Sequence, residues 1–232
     1  MVVVVVVLVV ALGNKASGGD IFLASDTDPG ANAFTPNAGA PPPARVTAPS
    51  LPPPAQQGAV AGAVASQPGL YGGTLNTAGC DVAQLVDSLT KDPAKADAFA
   101  SVPRIRRDQI PAYVNSLTPV ILQTDTRVTS HGFGNGQATS FQAALQAGTT
   151  ALVDTRGSPR VRCTGGNPLT APVAVRSSPT YRGTRWPGFS PTTLVVIDPS
   201  TTVIDTFVLV DVTSGQRFSR PAGSQGDRDA SS

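Results

Sequence analysis

Six arginines crowd the stretch from position 156 to 185: Arg156, Arg160, Arg162, Arg176, Arg182 and Arg185. A guanidinium is a planar, permanently charged fork that matches carboxylate and phosphate oxygens, and the only tryptophan, Trp186, follows directly. The expectation is a face around Arg156, Arg160, Arg162 and Trp186 that takes an anionic ligand, with the aromatic ring available for stacking. Two plainer alternatives stand beside it: a solvated face balanced by aspartates, and a tryptophan that plugs its own loop. Arg104, Arg106 and Arg107 pose the same choice earlier in the chain, between salt bridges to nearby aspartates and an anion site.

Acid–base chemistry has few candidates. His131 is the only imidazole, and with Asp125 and Asp154 it forms the one polar group that could serve catalysis. Ser130 adjoins His131 but cannot readily aim its hydroxyl at its own neighbour's ring, and no G-x-S-x-G elbow supplies another nucleophile. Asp198, Asp205 and Asp211 also fall on or beside strand-like segments, so no carboxylate pair for glycoside cleavage stands out. No residue is therefore assigned as catalytic. The glycines at 132, 134 and 136 lack the G-x-G-x-x-G spacing and a following Lys-Ser/Thr, so no nucleotide cofactor is implied.

Cys80 and Cys163 are the only cysteines. A structural zinc site usually wants about four ligands, and only His131 could assist, so no metal is expected. One disulfide is the preferred reading and two buried reduced thiols the alternative. Joined, they close a loop of about 80 residues, which stabilises on the order of 4 kcal/mol.

These residues need positioning elements. Asp81 is a plausible N-cap for a helix with Val82, Leu85, Val86 and Leu89 on one face. Asp92-Pro93 repeats the start signal, and Asp108 opens a third short helix in which Pro111 occupies the first turn. After Pro119 the apolar period shortens: residues 120–129 read as one strand, and Asn135-Gly136 suits a tight hairpin turn. Residues 149–154 and 159–163 flank Thr155-Arg156-Gly157-Ser158 as a second hairpin. Further strands are expected at 194–197, 204–210 and 216–218. The predicted fold class is α+β, with small N-terminal helices followed by a mostly antiparallel β-sheet.

Composition bounds the partners. A net charge of +2 and a charged fraction of 14% give no field of the kind that recruits nucleic acid, so no nucleic-acid partner is expected. Residues 2–12 are continuously apolar, yet shorter than the roughly 20 residues of a membrane helix and without a basic leader. Residues 1–19 are expected to be a truncated membrane anchor, with an atypical signal peptide or a buried strand as alternatives. Residues 20–68 read as a Pro/Ala/Gly-rich spacer, in which residues 20–36 contain a strand-like Asp20-Ile21-Phe22-Leu23 that could belong to the domain. Residues 69–222 form the expected domain and residues 223–232 a frayed polar tail.

Several motifs stand together: Gly69-Leu70-Tyr71-Gly72-Gly73-Thr74, Cys80-Asp81, Leu117-Thr118-Pro119-Val120, Asp125-Thr126-Arg127-Val128-Thr129-Ser130-His131-Gly132-Phe133, Gly148-Thr149 with Leu152-Val153-Asp154, and Arg162-Cys163 with Gly166-Asn167-Pro168-Leu169. In these the chain resembles an uncharacterised domain family of actinobacterial membrane-anchored proteins. Asp20-Ile21-Phe22-Leu23 and Phe34-Thr35 resemble the family's opening, which would make the proline-rich stretch an insertion. The chain departs from the family's pattern in having Cys163-Thr164-Gly165 where the family has Cys-x-Cys, and Ser130 where it has Asn. The first departure weakens a metal or redox role and leaves a Cys80–Cys163 bridge as the economical account. The resemblance implies a domain outside the cytoplasmic membrane, attached through the N-terminal apolar segment; the arginines make a cell-wall polyanion or an envelope protein the expected partner. It brings no activity. The expected function is a non-catalytic extracytoplasmic binding or structural module of the actinobacterial cell envelope; the alternative is an extracytoplasmic hydrolase using Asp and His residues.

Overall fold

The computed structural model describes residues 19–41, 61–174 and 179–231. The apolar run at 2–12, the proline-rich residues 42–60 and Arg176 lie outside the described residues. Three short strands come first: β1 (Asp20–Ala24), β2 (Ala61–Val64) and β3 (Tyr71–Gly73). Three helices follow: α1 (Val82–Lys91), α2 (Pro93–Ser101) and α3 (Ile110–Asn115). Their starts are written locally. Asp81 accepts from the Gln84 backbone N–H at 2.8 Å, and Asp92 accepts from those of Ala94 and Lys95. Each cap satisfies N–H groups that the helix itself cannot, and Pro93 sits where a missing N–H does no harm.

The remaining strands are β4 (Thr118–Leu122), β5 (Thr126–Gly134), β6 (Gln137–Leu145), β7 (Thr150–Val153), β8 (Pro159–Arg162), β9 (Leu169–Thr170), β10 (Thr180–Arg182), β11 (Val195–Asp198), β12 (Thr206–Asp211), β13 (Arg217–Pro221) and β14 (Ala230–Ser231). They make two sheets. The first runs β10-β1-β6-β5-β11-β2, with β9 also on β5; the second runs β14-β13-β12-β3-β4-β7-β8.

The expected mostly antiparallel sheet is corrected here. β1 is parallel to both β6 and β10, β11 to both β2 and β5, and β12 to β3, so both sheets are mixed. About 16% of the structure is helix and 38% strand, which makes the fold mainly β. Its early strands enter the sheets beside partners more than a hundred residues later. Such pairings have no local signature of the kind a hairpin has.

Period-2 alternation builds the core. Ala151 and Val153 face the space between the sheets while Leu152 faces the helices; Ala143 and Leu145 face the same inner space while Ala144 faces away. The inner layer is filled by Tyr71, Leu122, Val128, Val195, Leu209 and Phe218 among others. Leu85, Leu89, Phe99, Ile110 and Val114 lay the helices on Leu152 and Val161 of the second sheet. Ile21 and Leu194 form a smaller cluster on the outer side of the first.

Three local readings change. Residues 120–129 are not one strand: the chain leaves the second sheet after Leu122 and enters the first at Thr126. Gln123 donates to the Gly69 carbonyl and the Thr126 hydroxyl to that of Thr124, fixing the bend. Residues 61–64, assigned to the spacer, form β2, whose end packs so tightly on the β7–β8 turn that a Cβ on Gly157 would meet Ala65 Cβ at 2.5 Å. The polar tail contains β14 and the buried carboxylate of Asp229, which accepts from Arg220. Ala-Gly-rich and Asp-rich segments carry weak strand propensity, and here tertiary contacts override it. Cys80 and Cys163 form a disulfide between the residue before the α1 cap and the end of β8, with 5.8 Å between their Cα atoms.

Candidate functional site

The β7–β8 hairpin places the most suggestive side chains. Asp154, just after β7, accepts from the backbone N–H groups of Arg156 at 2.9 Å and Ser158 at 3.0 Å, closing the turn. Its second oxygen accepts from Arg160 Nε at 2.7 Å. One carboxylate thus both folds the hairpin and fixes the direction of Arg160, whose two Nη nitrogens have no hydrogen-bond partner among the described residues.

Arg160 and Asp154 line a cavity of about 300 Å³ together with Arg104, Tyr113 and Thr170. Arg104 adopts φ +58°, a left-handed backbone that side-chain-bearing residues seldom take. It has no ion-pair partner among the described residues. Its neighbours do: Arg106 pairs with Asp108 at 2.8 Å and Arg107 with Asp97 at 3.6 Å. Burial pushes the Tyr113 phenol up to about 12, with Asp154 adding to the shift and Arg160 opposing it. The hydroxyl therefore stays protonated at neutral pH. Two guanidinium groups, one carboxylate and one phenol converge on a recess at the small end of the ligand-pocket range, a donor-rich set suited to carboxylate, phosphate or sulfate oxygens.

The other expected ligand residues lie elsewhere. Arg156 Nη1 donates to the carbonyls of Ser200 and Thr201, at 2.9 and 2.8 Å, and holds the loop after β11. Arg162 is 4% exposed and donates through Nη2 to the carbonyls of Ser25 and Asp28. Desolvation draws its pKa down to about 10, against the pull of Asp28 and Asp26, so it remains charged while clamping the loop after β1. Trp186 donates from Nε1 to Asp125 at 3.1 Å and packs edge-on against Phe189, 5.1 Å between centroids. That is the geometry of a loop plug.

Asp125, His131 and Asp154 are not assembled. Asp125 accepts from Ala147 N–H and Trp186, and burial raises its pKa despite those two bonds. His131 Nδ1 lies 3.2 Å from the Pro168 carbonyl, and burial lowers its pKa. No hydrogen bond joins any two of the three. Among the described residues no group of three or more His, Cys, Asp or Glu side chains has metal-holding geometry.

Tyr113 is the cavity residue that sequence reasoning placed only in a helix. Its role depends on α3 meeting the hairpin some forty residues later, which no local pattern encodes. Arg104 carried a faint signal, as the arginine beside Pro103 at the end of a helix with no aspartate at hairpin spacing.

These features define a class: a disulfide-linked, mainly β domain of two packed mixed sheets with a helical cover and a small cationic cavity beneath it. The chain belongs to the family described as a domain of unknown function (DUF6777), whose model matches residues 61–223. The match starts at β2 and ends just beyond β13, so β1 and the buried Phe34 precede it. No curated protein and no solved structure matches the chain.

Proposed function

We propose that this chain is a non-catalytic binding module working outside the cytoplasm, and that it holds an anionic group of an envelope polymer in the cavity between α3 and the β7–β8 hairpin. The observation that carries this reading is Arg160, aimed by Asp154 through Nε, in one recess with Arg104, where among the described residues neither the Arg160 Nη nitrogens nor Arg104 has a side-chain partner. The disulfide supports an oxidising compartment, since such bonds persist mainly in exported proteins. The resemblance to actinobacterial membrane-anchored proteins favours the cell envelope, with attachment through residues 2–12. No helix among the described residues is long and apolar enough to cross a membrane. The hydrolase alternative draws less support, because Asp125, His131 and Asp154 each satisfy different partners.

The test is retention of the full chain on cell-wall fractions across a salt series. Retention should be strong at low ionic strength and fall as salt screens the charges. Arg104→Gln and Arg160→Gln should each weaken it about tenfold, the worth of a hydrogen bond to a charged group. Salt-independent retention, or retention indifferent to both substitutions, would sink the reading.

A further inference from the structure

Arg127, on β5, is 5% exposed. No carboxylate among the described residues lies within ion-pair distance of it. Its Nη2 donates to Gln142 Oε1 at 3.1 Å and to the Val173 carbonyl at 3.3 Å, while Nε has no partner among the described residues. Ser158, 8% exposed, likewise has a buried hydroxyl without a partner among the described residues. Both residues line a recess of about 80 Å³, together with Arg160, Thr126 and Thr170. The rest of the lining is largely apolar, including Val128, Pro159, Ile197 and Pro199, and contains no carboxylate.

An arginine cannot shed its proton in a protein, and a buried cation without a counter-ion is strongly destabilising. The other two buried arginines are compensated: Arg220 has Asp229 on Nε and Nη2 and the Pro119 carbonyl on Nη1, and Arg162 has Asp28 and Asp26 close enough to favour its charge. Arg127 has no such counter-charge. A bridging water could occupy Nε and the Ser158 hydroxyl, but it would leave the charge uncompensated.

We infer that the recess between Arg127, Ser158 and Arg160 binds a small oxyanion. The chemistry is that of a phosphate, sulfate or carboxylate group, with Arg127 and Arg160 supplying charge and Ser158 a hydroxyl donor in apolar, weakly screening walls. The group is either a free ion or the terminal group of a larger ligand. The two recesses share Arg160 and Thr170, and the residues that line only one of them separate the readings: Arg104 for the wider cavity, Arg127 and Ser158 for this one.

The experiment is thermal unfolding of the full chain, titrated with inorganic phosphate, sulfate or acetate at constant ionic strength. The expected result is a saturable rise in Tm, about 3–6 °C at tenfold excess over Kd. Arg127→Met should abolish the rise. Ser158→Ala removes a hydroxyl that no protein group uses, keeps the fold, and should raise the half-saturating concentration about tenfold. Arg106→Gln, whose guanidinium pairs with Asp108 at the surface, should respond as wild type. A parallel titration with polyphosphate separates the sources: a shift from the simple ions alone marks a free-ion site, and one reached at lower total phosphate with the polymer marks an end group. No saturable shift in the wild type overturns the inference. So does an equal shift in wild type, Ser158→Ala and Arg127→Met, which means an adventitious ion only.

Discussion

His131 is the only histidine, so its titration can be isolated. Burial lowers its pKa below the ordinary 6.5, with the contact to the Pro168 carbonyl opposing the shift. As pH falls through 6.5 the unfolded chain takes up a proton that the folded chain resists, so stability is lost on the acid side and is unaffected well above 6.5. Asp125 works in the opposite sense, because its raised folded pKa makes stability fall as pH rises through its range. The wild type should therefore lose more Tm between pH 7.5 and 5.5 than His131→Gln, a difference calorimetry would read; equal acid-side slopes would count against it. At this scale the sequence was informative wherever a side chain acts on its own neighbourhood. Asp81 and Asp92 announce the helices they cap, and Asp154 sits where a hairpin would need it. Arg162 and Trp186 look like ligand residues by type, yet their partners are a loop carbonyl 134 residues away and an aspartate 61 residues away. Residue chemistry cannot reveal that such a group is already engaged.

The hairpins follow the same logic one level up. Asn135 and Gly136 have φ of +52° and +74°, as a two-residue turn with both central residues left-handed requires, and β7 and β8 pair across the expected loop. The parallel neighbours of β1 and β11 were hidden, since parallel strands are joined by a crossover of about a dozen residues or more, with no tight-turn sequence to mark it. The break between β4 and β5 was hidden too, because Gln-Thr-Asp is unremarkable until one knows that the sheets part there. The Cys80–Cys163 bond ties the helical cover to the last strand of the second sheet, and both cysteines are buried. Replacing both with serine should lower the free energy of unfolding on the order of 4 kcal/mol, read as a shift in urea midpoint. Peptide mapping without reductant should recover the two cysteines in one linked fragment; free thiols in exported protein would contradict the bond.

Across the whole molecule, segments that looked peripheral close the structure. Arg220 and Asp229 are both essentially excluded from solvent, and Arg220 also donates to the carbonyls of Pro119, Thr74 and Thr77. Asp229→Ala would leave that guanidinium buried without its counter-charge, at a cost of about 3–5 kcal/mol. An unchanged unfolding midpoint would show the C-terminal segment to be dispensable. Composition concealed this, because a run of Ser, Gly and Asp reads as solvated chain until one of its carboxylates is seen inside. The placement of β1 has a mechanical outcome. Phe34 and Ala38 are buried, Gly39 bridges to Cys80, and β2 lies in the same sheet as β1, so the described segments on either side of residues 42–60 belong to one body. Tension applied ahead of Asp20 would be carried by β1, sheared along its length between its parallel neighbours β6 and β10, so that the first sheet itself takes the force.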